Sequence, residues 1–351
     1  MRIAQVAPLI ESVPPKLYGG TERVVSYLTE ALVDMGHEVT LFASGDSDTR
    51  ARLVSTCSRA LRLDPSVRDP LPHTLLLIER VRQMADEFDV LHFHVDLLHF
   101  PVFRSLRERT LTTLHGRLDL PDLVPLAREF SDMPVVSISD AQRAPLPWMR
   151  WVATVPHGLP KDLLRFQPKP DGYLAFLGRI SPEKGPDRAI RIARRAGLPL
   201  KIAAKVDRAD EAYFETVIRP MLRQPGVEFL GEITEAEKSQ FLGGAMALLF
   251  PVDWPEPFGL VMIEAMACGT PVIAFRRGSV PEVLEHGVSG FIVNDEGEAL
   301  RAVERLNELD RREIRCAFER RFTAQRMARD YLALYEALLV HEQNGRLVEA
   351  A

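Results

Sequence analysis

A chain of 351 residues is longer than one hydrophobic core usually serves, and it predicts two domains. Hydrophobic residues at 46% and charged residues at 26% suit a globular protein, while a net charge of −5 and a pI near 6.0 exclude a general nucleic-acid binder, which needs a basic excess. Cys57, Cys268 and Cys316 are odd in number and lack metal-type spacing, and no apolar run has the length of a membrane span or a signal-peptide core, so the expectation is a cytoplasmic protein with no disulfide framework and no transmembrane segment.

Residues 3–7 read as a buried strand, followed by a Pro- and Gly-rich loop to Gly20 and a helix over 21–35. Thr21 is expected to cap this helix, Val24, Leu28 and Leu32 form its inner stripe, and Gly36 ends it. A strand over 37–43 completes a βαβ start, which implies a parallel sheet with right-handed crossovers. Gly19 and Gly20 then fall at the carboxyl end of the first strand, where doubly wound sheets bind ligands. The segment 46–73 carries Arg50, Arg52, Arg59, Arg62 and Arg68 and reads chiefly as a solvated insertion, with an acidic acceptor or a lipid surface as the other reading. Asp46-Ser47-Asp48 sits in a turn-rich stretch and reads as a surface loop rather than a metal motif.

The alternation resumes with a helix over 74–87 and a strand over 89–94. His92 and His94 share one face of that strand, but no third ligand is recognisable, so His94 and Asp96 are expected to line a ligand cleft instead. A strand over 110–114 delivers His115-Gly116 to the same edge, and a strand over 135–139 leads into a helix that Ser139 either caps or uses to reach substrate. Trp148, Met149 and Trp151 are expected to pack rather than to face a membrane. A proline-containing linker over 161–172 precedes a second βα series that opens with a strand over 173–177.

That strand ends in Gly178-Arg179-Ile180-Ser181-Pro182-Glu183-Lys184-Gly185. Arg179 and Lys184 lie across a turn at the sheet's carboxyl edge, where two cations neutralise a diphosphate; Lys205, at the exit of a strand over 200–205, is a candidate third. After a strand over 246–251 comes Glu256-Pro257-Phe258-Gly259-Leu260-Val261-Met262-Ile263-Glu264. Pro255 and Pro257 hold the approach extended, Gly259 lets backbone come close, and helical spacing begins at Leu260. Free amides at a helix start attract an anion, and Glu264 lies one turn down the same face, where a carboxylate accepts from a diol. Phosphate plus diol suggests a nucleotide with its ribose.

This run, with Gly19-Gly20, Thr113-Leu114-His115-Gly116, Gly178-Arg179 to Lys184-Gly185 and Arg276-Arg277-Gly278-Ser279-Val280-Pro281-Glu282, resembles the retaining glycosyltransferases of family 4. The resemblance implies two Rossmann-like doubly wound α/β domains facing across a cleft: an acceptor domain over 1–160, a donor domain over 161–323, and a last helix over 324–340 that crosses back, ahead of a mobile tail within 324–351. It implies catalytic roles for His115, Arg179, Lys184 and Glu256. It implies donor contacts from Gly19, Gly20, Phe258, Gly259, Leu260, Val261 and Glu264, with backbone around Glu232 and Ile233 meeting the base. His94, Asp96, Ser139 and Lys205 stay as acceptor or cleft candidates.

The implied reaction moves a hexose from a nucleotide-diphosphate sugar, a UDP-sugar foremost, to a hydroxyl of a small-molecule, glycan or lipid-linked acceptor. Retention is expected by a front-face route in which the leaving phosphate takes the acceptor's proton. Fixed cations and a helix start do the neutralising, so neither a cofactor nor a metal is expected. No nucleic-acid partner is expected, and peripheral membrane contact stays open. A sugar-nucleotide epimerase or phosphorylase of the same architecture, or a non-catalytic sugar-nucleotide binder, are the rival readings. A glycosidase would also use paired carboxylates but needs no phosphate-binding groups.

Overall fold

The computed structural model describes residues 1–16 and 19–349, with side chains described as far as Val340. Within them the chain forms two compact units, Met1–Gly158 with Ala324–Ala351, and Leu159–Thr323. Each is a Rossmann-like parallel α/β unit.

In the first unit the strands are β1 (Arg2–Val6), β2 (Glu38–Phe42), β3 (Arg52–Val54), β4 (Val90–Phe93), β5 (Thr110–Thr113), β6 (Val135–Ser137) and β7 (Trp151–Thr154). They form a seven-stranded parallel sheet in the order β3-β2-β1-β4-β5-β6-β7. The order reverses between β1 and β4, so the loops leaving Val6 and Phe93 flank the crevice that such sheets offer to ligands.

Helix α1 (Gly20–Asp34) follows the glycine-rich loop, one residue earlier than the spacing predicts. Its N-cap is Gly19 with no side-chain cap, so Thr21 lies inside the first turn rather than capping it. The far end is as expected. Gly36 has φ 85°, its N–H donates to the Val33 carbonyl, and that of His37 donates to Leu32, the paired bonds of a Schellman stop. Helix α2 (Leu71–Gln83) begins at Leu71 with proline in its first turn, ahead of the predicted start at 74.

Asp46 organises its own loop, because its Oδ1 accepts from the Ser44 hydroxyl and the Ala60 amide, both at 2.8 Å. Of the aromatic cluster, Met149 is buried and Trp151 Nε1 donates to the Leu146 carbonyl at 2.9 Å, as expected for packing, whereas Trp148 is 39% exposed with the Arg128 guanidinium 5.1 Å from its ring centre. Ser139 is a cap, accepting from the Gln142 amide at 3.2 Å. The C-terminal helix Ala324–Glu349 runs past the expected end at Val340 and buries Tyr331 and Tyr335 in this unit. Of the tail expected to be mobile, 350–351 lie outside the described residues.

The second unit contains β8 (Tyr173–Arg179), β9 (Leu200–Lys205), β10 (Val227–Gly231), β11 (Ala245–Phe250), β12 (Val272–Phe275) and β13 (Gly290–Val293). They form a six-stranded parallel sheet in the order β10-β9-β8-β11-β12-β13. Its helices include α3 (Pro186–Ala196), α4 (Glu235–Gly243) and α5 (Leu260–Ala267). Leu174, Phe176, Ile202, Leu249 and Ile273 alternate onto one face of the sheet and are buried with Ile190 and Ala193 of α3. Burying each such branched or aromatic side chain is worth about 1.5–3 kcal/mol. The order of this sheet reverses between β8 and β11. The loops that leave Arg179 and Phe250 therefore flank its switch point, and those loops carry Lys184 and Glu256.

Candidate active site

The loop after β8 is pinned at both ends. Gly185 has φ 72°, and a Cβ there would lie 2.5 Å from the Pro251 carbonyl oxygen, so glycine lets this turn sit against the loop after β11. Pro186 then opens α3 at its first position. Asp253 N donates to the Glu183 carbonyl at 2.8 Å, and Arg188 Nε donates to the Pro251 carbonyl at 2.8 Å. Backbone and one guanidinium thus hold the two switch-point loops together.

Lys184 Nζ is 2.5 Å from Glu256 Oε2, and Trp254 Nε1 donates to the same oxygen at 2.9 Å. The ammonium also stands 4.8 Å from the centre of the Trp254 ring. Glu256 is 6% exposed, so this pair sits largely out of water, where a charge-assisted bond is strong and directional. Arg179, one third exposed, pairs with Glu183, with Asp210 at 3.4 Å and with Asp207 at 3.8 Å. Lys205 pairs with Asp207 at 2.7 Å. Arg179 and Lys205 thus meet across Asp207, while Lys184 engages Glu256.

Helix α5 starts where the spacing predicts. Gly259 is its N-cap at φ 78°, and no side chain caps it, so the amides over 259–261 rely on another acceptor, and these residues are half-buried rather than sealed. Phe258 is buried beneath, packed edge-to-face on Phe322 at 6.1 Å. One turn into the helix, Glu264 is 2% exposed, and Lys238 Nζ of α4 lies 2.6 Å from its Oε1. Lys238 also pairs with Glu235 at 3.4 Å. Glu232 is exposed and Ile233 half-buried just beyond β10, at the carboxyl edge of the same sheet.

Sequence reasoning missed Lys238, although a signal existed. Thr234 and Glu237 form a capping box that fixes the start of α4, and Lys238 then falls three and four residues before the buried Phe241 and Leu242, on the inward face.

In the first unit, His94 and His115 leave adjacent strands and meet through His94 Nδ1 and His115 Nε2 at 2.8 Å. His94 is buried and spends its other nitrogen on Gln5 Oε1 at 2.8 Å, so it supports His115 rather than presenting itself to a ligand. His115 is half-buried and stacks on His157 with ring centres 5.2 Å apart. His92, on the same face as His94, bonds Tyr335 at 2.7 Å and Thr113 at 2.8 Å. Burial drives the imidazoles of His92, His94 and His157 well below their ordinary range and pulls His115 down as well, so the cluster is neutral at pH 7.

Among the described residues no group of three or more His, Cys, Asp or Glu is arranged to hold a metal ion. Asp96 is exposed at φ 51°, a left-handed turn after β4. Gly19 and Gly20 sit at the start of α1 by the carboxyl end of β1; a Cβ on Gly19 would lie 2.8 Å from Pro15 Cβ. Among the described residues no helix is long and apolar enough to cross a membrane.

A family model described as Glycosyltransferase Family 4 matches residues 18–162, and one described as Glycosyl transferases group 1 matches residues 164–322. The phosphatidyl-myo-inositol mannosyltransferase of Mycobacterium leprae is 26% identical over 327 residues, which is 84% of this chain and 83% of that protein. The D-inositol 3-phosphate glycosyltransferase of Mycolicibacterium smegmatis is 33% identical over 153 residues, 42% of this chain and only a third (33%) of that protein's length. Among solved structures, AviGT4, a glycosyltransferase involved in avilamycin A biosynthesis, is 25% identical with a TM-score of 0.74 and 97% and 98% of the two chains covered. HepE of Anabaena, in complex with UDP-glucose, shares the fold at 18% identity, a TM-score of 0.72 and 96% and 100% coverage. Two family models in the same order as the two Rossmann-like units, with relatives and neighbours along nearly the whole chain, settle the assignment: the chain belongs to the family 4 glycosyltransferases of the two-Rossmann-domain (GT-B) type.

Proposed function

We propose that the protein moves a hexose from a UDP-sugar to an acceptor hydroxyl with retention at the anomeric carbon. The observation that carries this reading is the pair of buried lysine–glutamate contacts, Lys184 with Glu256 and Lys238 with Glu264, set around the uncapped start of α5. That start offers amides to a diphosphate, with Arg179 and Lys184 as fixed cations. Glu264, held by Lys238, accepts from the ribose diol, and backbone beside Glu232 and Ile233 meets the base. Glu256, with two donors already on one oxygen, keeps its other oxygen for donor-sugar hydroxyls.

As the nucleoside diphosphate leaves, positive charge grows on the anomeric carbon and negative charge on the departing phosphate. The helix amides and the two cations stabilise that phosphate most when its charge is largest, which is the condition for lowering a barrier. The acceptor oxygen bonds to the anomeric carbon on the face the phosphate leaves, and its proton passes to the departing phosphate oxygen. This sequence uses fixed charges in place of a metal. His115 is read as a residue that touches the transferred sugar, and Gly19 and Gly20 as backbone that lets donor approach. UDP-glucose, the molecule in complex with HepE, carries the diphosphate and ribose diol that the contacts proposed here would take.

A thermal-shift and hydrolysis screen over UDP-, GDP- and ADP-sugars tests the donor, and proton couplings of the product read its configuration. Preference for a UDP-sugar with an α-linked product from an α-linked donor is expected. Binding of none of the three, or an inverted product, overturns the proposal. Turnover that persists in a chelator is expected.

A further inference from the structure

A single side-chain amide joins two hydrogen-bonded chains inside the N-terminal unit. Gln5 Oε1 lies 2.8 Å from His94 Nε2, and Gln5 Nε2 lies 3.0 Å from the Tyr335 hydroxyl. On one side, His94 Nδ1 continues to His115 Nε2 at 2.8 Å. On the other, the Tyr335 hydroxyl meets His92 Nδ1 at 2.7 Å, and His92 Nε2 meets Thr113 Oγ1 at 2.8 Å. Gln5, His92, Thr113 and Tyr335 are at 0% exposure and His94 at 2%, so each polar hydrogen here needs an acceptor inside the protein.

A neutral imidazole has one donor nitrogen and one acceptor nitrogen. Because the Gln5 carbonyl faces His94, His94 Nε2 carries the hydrogen and its Nδ1 accepts. His115 Nε2 must then donate, which leaves a lone pair on His115 Nδ1. The other chain is consistent with this. Gln5 Nε2 donates to Tyr335, the Tyr335 hydroxyl donates to His92 Nδ1, and His92 Nε2 donates to Thr113, so every contact has one donor and one acceptor. Turning the Gln5 amide over would reverse every one of these bonds and put the hydrogen on His115 Nδ1.

We propose that Gln5 is a positioning residue that fixes His115 as the Nε2–H tautomer, so that Nδ1 accepts a hydrogen bond from a substrate hydroxyl. His115 Nδ1 is buried and has no hydrogen-bond partner among the described residues, so its lone pair is unmet, and its ring is held by His94 on one side and stacked on His157 on the other. A bare ring nitrogen attracts a hydroxyl hydrogen and repels a carbonyl or phosphate oxygen, so it selects a sugar hydroxyl as the group it meets. The proposal rests on the reading of His115 as a residue that touches the transferred sugar.

Nitrogen-15 NMR of the full chain labelled in histidine reads the tautomer directly. At pH 7, His94 and His115 are expected to be protonated at Nε2 and bare at Nδ1. Protonated Nδ1 on His115, or rapid averaging of the two forms, overturns the proposal, and the wild-type spectrum decides this even if no variant folds. Gln5→Leu should let both rings average and lower kcat about 5- to 10-fold, the scale of one neutral hydrogen bond, with the donor KM changed less. Gln5→Glu, whose carboxylate only accepts, should keep the His115 signal while moving the His92 hydrogen to Nδ1. Unaltered His115 signals in Gln5→Leu also overturn it. If the chain transferred no hexose the tautomer result would stand, so the two failures are told apart.

Discussion

Lys238 Nζ and Glu264 Oε1 stand 2.6 Å apart with both side chains nearly out of solvent, at 11% and 3% exposure. The carboxylate proposed to hold ribose is thus itself held by an ammonium from the neighbouring helix. Removing one partner of a buried pair costs far more than the pair contributes, because the remaining charge loses its closest counter-ion in a poorly solvated place. Glu264→Leu should destabilise the C-terminal unit by about 3 kcal/mol or more, while Lys238→Met with Glu264→Leu should recover much of that loss. Urea unfolding reads the first effect. Calorimetry with UDP should show weak binding in both variants, and full UDP affinity in the double variant would remove Glu264 from the ribose.

The cations at the switch point make a second, kinetic prediction. Arg179→Ala and Lys184→Ala should each lower kcat about 100-fold or more, the scale of losing one charge-stabilising donor at a developing anion. Lys184 acts twice, since it also orients Glu256. Its replacement should therefore change the donor-sugar KM as well, whereas Arg179→Ala should act mainly through the diphosphate. Steady-state kinetics with the donor varied separates the two, and full activity in either variant would end the diphosphate assignment.

The histidines predict how stability depends on pH. His92, His94, His99 and His157 are held well below the ordinary imidazole range by burial, and His115 is lowered to about 3. A base with a depressed folded pKa binds fewer protons folded than unfolded once pH falls below about 6.5, so its contribution is intact above that value and is lost below it. Each such histidine removes about 1.4 kcal/mol per pH unit over that window. Within 159–323 the sequence has the single histidine His286, so the N-terminal unit should unfold first on acidification. In a Trp254→Phe variant, fluorescence comes from Trp148 and Trp151 of that unit and should report its transition at a higher pH than the loss of the C-terminal unit. Simultaneous loss of both units would contradict this.

Much of this was legible because it is carried by backbone requirements. Gly36 and Gly259 stop or start helices at positive φ, and each sits where the sequence placed a boundary. The alternation of strand and helix implied two parallel sheets, and the charged loops fell at the strand ends that the two strand orders make into switch points. What the sequence concealed was pairing between distant side chains. Lys238 reads as a surface lysine until α4 is set against α5, and Gln5 reads as one polar residue in an apolar strand until His94 and Tyr335 arrive beside it. Hydrogen-bond partners separated by 26, 89 and 330 positions have no local periodicity to announce them. Thr21 was misplaced for a related reason: two glycines precede it, and the chain turns helical at the second of them.

Gly278 offers the sharpest test of how the Glu256 loop is held. Its φ is 51°, and a Cβ there would overlap the Glu256 carbonyl oxygen and lie 2.5 Å from the Glu256 nitrogen. The next residue, Ser279, donates its amide to that carbonyl at 2.9 Å and its hydroxyl to the Phe258 carbonyl at 3.0 Å. The loop over 276–279 therefore grips the backbone on both sides of Pro257, and glycine is what allows the grip to close. Gly278→Ala should push the two backbones apart, at a cost of about 1–3 kcal/mol for overpacking. The displaced Glu256 would be offset from Lys184, so kcat should fall about 100-fold, as expected for a misplacement near 1 Å. Ser279→Ala removes the hydroxyl bond and leaves the amide bond, and should lower kcat much less. Comparing kcat and urea midpoints of the two variants checks the argument: an active Gly278→Ala protein would show that the loop over 276–279 does not position Glu256.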